Sequence, residues 1–331
     1  MKLNRKKLVV GILKVSILFL FIFLIVNFVG ANDLISVLVS VSLSLFLLSL
    51  VFEPFVILLT GLSYKVLLMP LNHKIKTLYA TRVAGVGYAL GFITPARAAE
   101  LAITLPLQKK GVSIGEGLAM LATDKILSTI ILVSAGVLGI IFFGGAIESL
   151  LIALGLIILF GIVFAIVISK KSKKFIVKYA LKGNEDHLND FLIGIKTIFS
   201  SKKHILIVLF FKFLKWMFSF FSVTVIFYSL GYPISVHIVG MIFSLVVIFS
   251  TIPITISGLG LKEGSGALLY NALAGVPPAI ATNAMILSTA NIFIVSVIYY
   301  AWGYNLVLDE KNLRILKFRR KKDKISKNQF Q

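Results

Sequence analysis

Thr94-Pro95-Ala96-Arg97-Ala98-Ala99-Glu100 and Ser257-Gly258-Leu259-Gly260-Leu261-Lys262-Glu263 place charge where hydropathy says lipid should be. Each stretch interrupts a long apolar region with Pro or Gly and then sets a basic residue close to a Glu. An ionisable side chain at bilayer depth costs roughly 2.5–3.5 kcal/mol even on lenient scales, so a chain keeps one there for a reason. The two breaks predict a polar site near the midplane, shaped for an anion.

The surrounding composition sets the frame. The chain has 331 residues, 58% of them hydrophobic, and a mean hydropathy of +1.00. A soluble domain of this length cannot hide so much apolar surface, whereas a bundle of spanning helices requires it. The basic start (Lys2, Arg5, Lys6, Lys7) leads into an apolar run ending near Gly30 that lacks a small-residue cleavage box. It reads as a first spanning helix rather than a signal peptide. The net charge of +21 comes from 34 basic and 13 acidic residues. These basic residues cluster in loops and tails, as the positive-inside rule places them, without the aromatic partners of a nucleic-acid reader. No nucleic-acid partner is expected. The absence of cysteine excludes disulfides, iron–sulfur clusters and thiolate zinc sites.

Apolar segments run at about 8–30, 34–60, 77–94, 117–143, 146–169, 204–230, 235–256 and 279–307, with a shorter stretch at 264–276. The connections alternate in charge. Residues 1–7, Lys65, Lys74, Lys76, Lys109, Lys110, the 170–203 loop and the tail at about 309–331 hold most of the basic side chains. The turns at Ala31-Asn32-Asp33, Gly144-Gly145, Gly231-Tyr232-Pro233 and Gly275-Val276-Pro277 hold none. Both termini are therefore expected on the cytoplasmic side. Residues 77–107 must enter and leave from inside, and 235–276 from outside. The expected fold is an all-α polytopic membrane protein, a single domain over 1–331. It has six full spans plus two re-entrant helical hairpins of opposite orientation, from eight apolar segments. An ordinary eight-span count leaves the charge pattern unexplained at two places.

Opposed hairpins with breakers at their tips are how inverted-repeat transporters build midplane sites. Thr94 can cap the returning half-helix of the first, with Pro95 at its first position. Ser257, Gly258 and Gly260 permit a tight turn before Leu261 starts the second return. Each return aims a positively polarised N-terminus inward, which favours an anion. In the 170–203 loop, Leu188, Phe191, Leu192, Ile195, Ile198 and Phe199 share one helical face. This is an amphipathic helix for the inner membrane surface; a partner-docking helix fits the same pattern.

The remaining charges divide by depth. Lys14 lies near the inner end of the first span, and Glu53 about 28 Å along the second. Both are expected to snorkel to the inner interface, and Arg82 is read as interfacial. Arg97, Glu100, Asp124, Lys125, Lys212, Lys215, Lys262 and Glu263 lie deeper. They comprise five basic and three acidic groups, so full pairing leaves about two positive charges for an anionic phosphate or carboxylate to neutralise. The competing reading has Lys212 and Lys215 snorkelling while the other pairs are internal salt bridges. No HExxH, P-loop, GxSxG or paired-Asp motif is present, and His73, His187, His204 and His237 are scattered. No metal, cofactor or catalytic residue is expected. Gly85-Val86-Gly87 follows no strand and reads as a close helix contact.

The order of these features resembles the lysylphosphatidylglycerol synthase transmembrane region, a flippase-like membrane family, over nearly the whole chain. The resemblance rests on Pro95, Arg97 and Glu100, then Asp124-Lys125 in the next span. A late element follows (Pro253, Gly258, Gly260, Lys262, Glu263) before a Gly-Val-Pro turn and a final span. It departs from the family pattern twice. A Glu-Arg-x-x-Asp motif is replaced by Asp124-Lys125-Ile126-Leu127-Ser128, and the last span carries Ser288-Thr289-Ala290-Asn291 where an Arg is usual.

The resemblance implies a non-enzymatic cell-membrane flippase. Its cargo would be an anionic phospholipid or a polyprenyl-phosphate-linked glycan, and its partners membrane lipids and a separate lipid-modifying enzyme. Arg97, Lys125, Lys212, Lys215 and Lys262 would line the headgroup site. Glu100, Asp124 and Glu263 would orient the cations or admit a proton, while Gly258 and Gly260 would let backbone approach. A lipid-modifying enzyme and an ion-coupled carrier of a small anion are the other classes that the sequence accommodates.

Overall fold

The computed structural model describes residues 31–92, 94–143, 185–251, 258–303 and 305–308. The expected spans at 8–30 and 146–169, the start of the 170–203 loop, Lys14, Pro253, Ser257 and the basic tail lie outside the described residues.

Among the described residues every regular element is helical: α1 (Ala31–Val39), α2 (Leu43–Leu50), α3 (Glu53–Leu68), α4 (Thr77–Phe92), α5 (Thr104–Gln108), α6 (Ile114–Phe143), α7 (Glu185–Ser200), α8 (Lys202–Ser229), α9 (Val236–Ser250), α10 (Leu261–Ala274), α11 (Pro278–Gly303) and α12 (Asn305–Leu308). Short 3₁₀ stretches cover Met69–Leu71 and Pro95–Ile103. Four helices are long and apolar enough to cross a membrane: Leu43–Leu71, Ile114–Phe143, Lys202–Ser229 and Pro278–Gly303. Val236–Ser250 is a shorter apolar helix. The chain is a multi-pass membrane protein.

Hydropathy misplaced one boundary. The apolar segment expected at 34–60 does not run as one helix, because the chain breaks at Val41–Ser42 and the long helix starts at Leu43. Serines make the break: the Ser40 hydroxyl donates to the Val37 carbonyl at 2.8 Å, and the Ser42 N–H to Ser229 of α8 at 2.8 Å. Such local hydrogen bonds compete with the helix, and hydropathy cannot register them. A second break, at Val51–Phe52, precedes Pro54, which has no N–H for the carbonyl of Leu50.

Both interrupted segments fold back on themselves. In the first, the Tyr79 hydroxyl donates to the Pro106 carbonyl at 2.7 Å, and Lys110 Nζ lies 5.2 Å from the centre of the Tyr79 ring. Further along, Gly87 faces Ile103 and Glu100, so the return through Pro95–Ile103 and α5 runs antiparallel to α4. In the second, the Tyr270 hydroxyl reaches the Val239 carbonyl at 3.3 Å, and Gly258 sits against Ser250. α10 therefore returns along α9. The Lys-bearing connections gather at one end of the bundle, where His73 pairs with Glu116 at 3.0 Å. Ile234, Val276 and Leu230 pack together at the other.

α7 lies along the first turns of α6. Ile198 is wholly buried, and Gly194 is pressed against Ala119 too closely for a side chain. The amphipathic helix thus uses Phe191, Gly194, Ile195 and Ile198 against its own chain, whereas Leu192, Ile193 and Phe199 are exposed. The Gly85 reading as a close helix contact holds, since a Cβ there would overlap Tyr299 of α11.

Candidate functional site

Two apolar cores occupy the two ends of the bundle, and the ionisable residues fall between them. α8 leaves the first core after Phe211 and joins the second at Trp216, so Lys212 and Lys215 sit at the junction. α11 contributes Leu287 to the second core and Val295 to the first, so Ser288, Thr289 and Asn291 sit at the same level. Charge at this depth survives only where it is paired.

The first fold-back supplies one cluster. Thr94 is extended (φ −124°, ψ 142°), and its Oγ1 accepts the Ala99 N–H at 3.0 Å, with Pro95 opening the return. The expected cap is not made: Thr94 accepts from the fifth residue of the return rather than its second or third, and the return starts as 3₁₀ rather than α-helix. Glu100 on the return accepts Lys125 Nζ at 2.7 Å and the Tyr64 hydroxyl at 3.4 Å. Asp124, the neighbour of Lys125 on α6, forms an ion pair with Lys212 of α8. Lys212 and Asp124 are 0% and 2% exposed, whereas the Lys125 side chain is 51% exposed. Lys212 therefore does not snorkel, and its charge is committed to Asp124. Lys125 stays within reach of a ligand. Arg97 belongs to the same return, but its side chain lies outside the described residues.

The second fold-back supplies another cluster. Gly258 and Gly260 have φ of +77° and +82°, which ordinary side chains rarely adopt. Their turn delivers Lys262 and Glu263 into the first turn of α10. Lys262 is buried, donates to Ser288 at 2.9 Å and Thr289 at 3.4 Å, and lies 5.5 Å from the centre of the Phe243 ring. Glu263 accepts the Gly260 N–H at 2.7 Å and the Thr289 hydroxyl at 3.1 Å. The departure from the family pattern in the last span is thus where Lys262 and Glu263 are held. One expectation changes: Glu263 occupies the N-terminus of its own helix, so that terminus does not offer a free anion seat. Lys215, one turn from Lys212, lies partly exposed with Nζ 4.8 Å from the centre of the Trp216 ring.

Glu53 corrects the sequence reading. It was expected at the inner interface, but with the helix starting at Leu43 it lies only about 15 Å in. It is 6% exposed and accepts the Ser222 hydroxyl at 3.2 Å. Lys262 and Lys215 are within electrostatic reach. Asn291 joins this group, donating to Ser49 Oγ at 2.7 Å and Ser222 Oγ at 3.4 Å. Counting Glu53, the deep charges become five basic and four acidic, so the positive surplus falls from two to one. Hydropathy alone concealed Glu53; Ser40 and Ser42, where the chain breaks before Leu43, were the available signal that the span starts late.

Arg82 donates to the Trp302 carbonyl at 2.9 Å and stacks on that ring, near the basic end. No group of three His, Asp or Glu side chains suited to a metal occurs among the described residues. An open apolar groove between α3, α4 and α11 is lined by Phe55, Leu58, Leu78, Tyr299 and Trp302 among others. Compared with known families, residues 11–299 match the model of the lysylphosphatidylglycerol synthase TM region. No curated protein matches the chain.

Proposed function

Because the chain belongs to the family of the lysylphosphatidylglycerol synthase TM region, we propose that it moves an anionic lipid between membrane leaflets. The cargo is an anionic phospholipid or a polyprenyl-phosphate-linked glycan, and the membrane is the cell membrane. The observation that carries this reading is the belt of ionisable residues between two apolar cores, with Lys125 exposed and Lys262 buried. A headgroup phosphate has a cation to meet at that level, while its acyl chains stay in lipid. In this reading the two fold-backs are re-entrant hairpins, and six helices span the bilayer. Lys125 receives the phosphate, with Lys215 beside it, and Lys262 takes it deeper. Glu100, Asp124 and Glu263 hold the cations in place between cargoes. No bond is made or broken, so the protein needs no catalytic group; a separate enzyme prepares the lipid.

The test uses phosphatidylcholine vesicles containing the purified chain and fluorescent phosphatidylglycerol, with a membrane-impermeant quencher reading the leaflet of the label. Removing one partner of a buried charged contact costs about 2–5 kcal/mol, so Lys262→Ala slows translocation by about thirtyfold or more. Lys125→Ala slows capture of the headgroup. Wild-type rates in both variants, at equal reconstitution, would sink the site.

A further inference from the structure

Among the described residues four carboxylates are buried at the level of the belt, and three are held by a cation or a backbone N–H. Glu100 holds Lys125, Asp124 holds Lys212, and Glu263 holds the N–H of Gly260. Glu53 differs, because the partner within hydrogen-bond distance is the neutral hydroxyl of Ser222. That hydroxyl has one proton and two acceptors within reach, Glu53 Oε1 at 3.2 Å and the Ser49 carbonyl at 3.1 Å. It can donate to only one at a time. With Glu53 ionised, Ser222 donates to the carboxylate. With Glu53 protonated, the acid donates to Ser222 Oγ, which turns its own proton to Ser49. Asn291 donates to the same oxygen in either state. The site is therefore hydrogen-bonded in both protonation states without moving a helix.

We propose that Glu53 carries a proton across together with each anionic headgroup, so that transport is proton-coupled. This rests on the lipid-transport reading given above. The charged groups facing Glu53 are Lys262 of α10 and Lys215 of α8. From the other elements packed on α3, Asp124 of α6 is spent on Lys212, Arg82 of α4 is turned to Trp302, and α2 and α11 present Ser49 and Asn291. An anion that occupies Lys262 cancels one of the two positive charges that face Glu53, which shifts the buried carboxylate toward its protonated form. The proton comes from water on the entry side, adds to one carboxylate oxygen, and leaves to water on the exit side when the headgroup frees Lys262. One anion and one proton cross together, and the cycle is electroneutral.

The experiment reconstitutes the full chain in phosphatidylcholine vesicles with fluorescent phosphatidylglycerol and imposes a pH gradient. One-to-one coupling drives the steady-state leaflet ratio of the label to about tenfold per pH unit. Glu53→Gln brings that ratio to one. An E53Q variant that still concentrates the label would overturn the proposal. A readout independent of transport is the infrared carbonyl band of a protonated carboxylic acid, which grows as the pH of the purified protein falls. The Glu53 component of that band is missing in E53Q while those of the other acids remain, and in Ser222→Ala this component appears at a higher pH because the ionised form has lost its donor. An unchanged band in E53Q would overturn Glu53 as the proton carrier. A wild type that moves no label at any pH would overturn the transport reading instead, and the band still judges Glu53 by itself.

Discussion

Lys212 and Asp124 pose the sharpest question at the scale of single residues. A cation wholly removed from water and set against one carboxylate is costly to assemble, and more costly to leave half-made. Lys212→Met strands Asp124 and lowers stability by about 3–5 kcal/mol, read as a loss of thermal stability in detergent. Lys212→Met combined with Asp124→Leu recovers most of that loss, because neither charge remains to be solvated. If the double variant is no more stable than the single one, the pair has another role. Lys262 behaves differently: its partners Ser288 and Thr289 are neutral, and its replacement lowers transport more than stability. Hydropathy drew attention to Glu100, Asp124, Lys262 and Glu263, which are buried. The partner of each was not legible, since Lys212 and Asp124 are far apart in the chain and meet only because α6 and α8 pack together.

The two fold-backs are decided at the scale of elements. Pro95 and the glycines at 258 and 260 mark the turns in the sequence, and the turns fall there. Gly258 combines a positive φ with close contact to the Ser250 carbonyl, so both strain and overlap oppose a side chain. Gly258→Ala destabilises the α9–α10 pair by about 1–3 kcal/mol, read by limited proteolysis at the Gly258–Gly260 turn. A proteolysis rate equal to wild type would show that the turn accommodates a methyl. The amphipathic helix was legible by its period, but its partner was not. Gly194 against Ala119 makes α6 the docking surface, and Gly194→Leu should release α7 and expose it to protease.

At the scale of the whole molecule, and among the described residues, the connections around His73 and Glu116 meet at one end, and Leu230, Ile234 and Val276 pack together away from them. Because the chain has no cysteine, single introduced thiols report sidedness cleanly. Asn72→Cys and Lys110→Cys should react with an impermeant thiol reagent from the same face, and Gly231→Cys and Pro277→Cys from the opposite one. Labelling of Asn72→Cys and Lys110→Cys from opposite faces would replace the first hairpin with a full span. Sequence alone determined that this chain is a membrane bundle, that it turns at Pro95 and at Gly258 and Gly260, and which family it joins. Hydropathy, loop charge and turn chemistry are local properties, so they can be read without neighbours. Tertiary structure decided which charges neutralise which, that Glu263 caps its own helix, and that Glu53 belongs to the interior. Those depend on helices meeting at long range, on the serines that move the start of a span, and on the hydroxyls of α8 and α11 that no linear pattern marks.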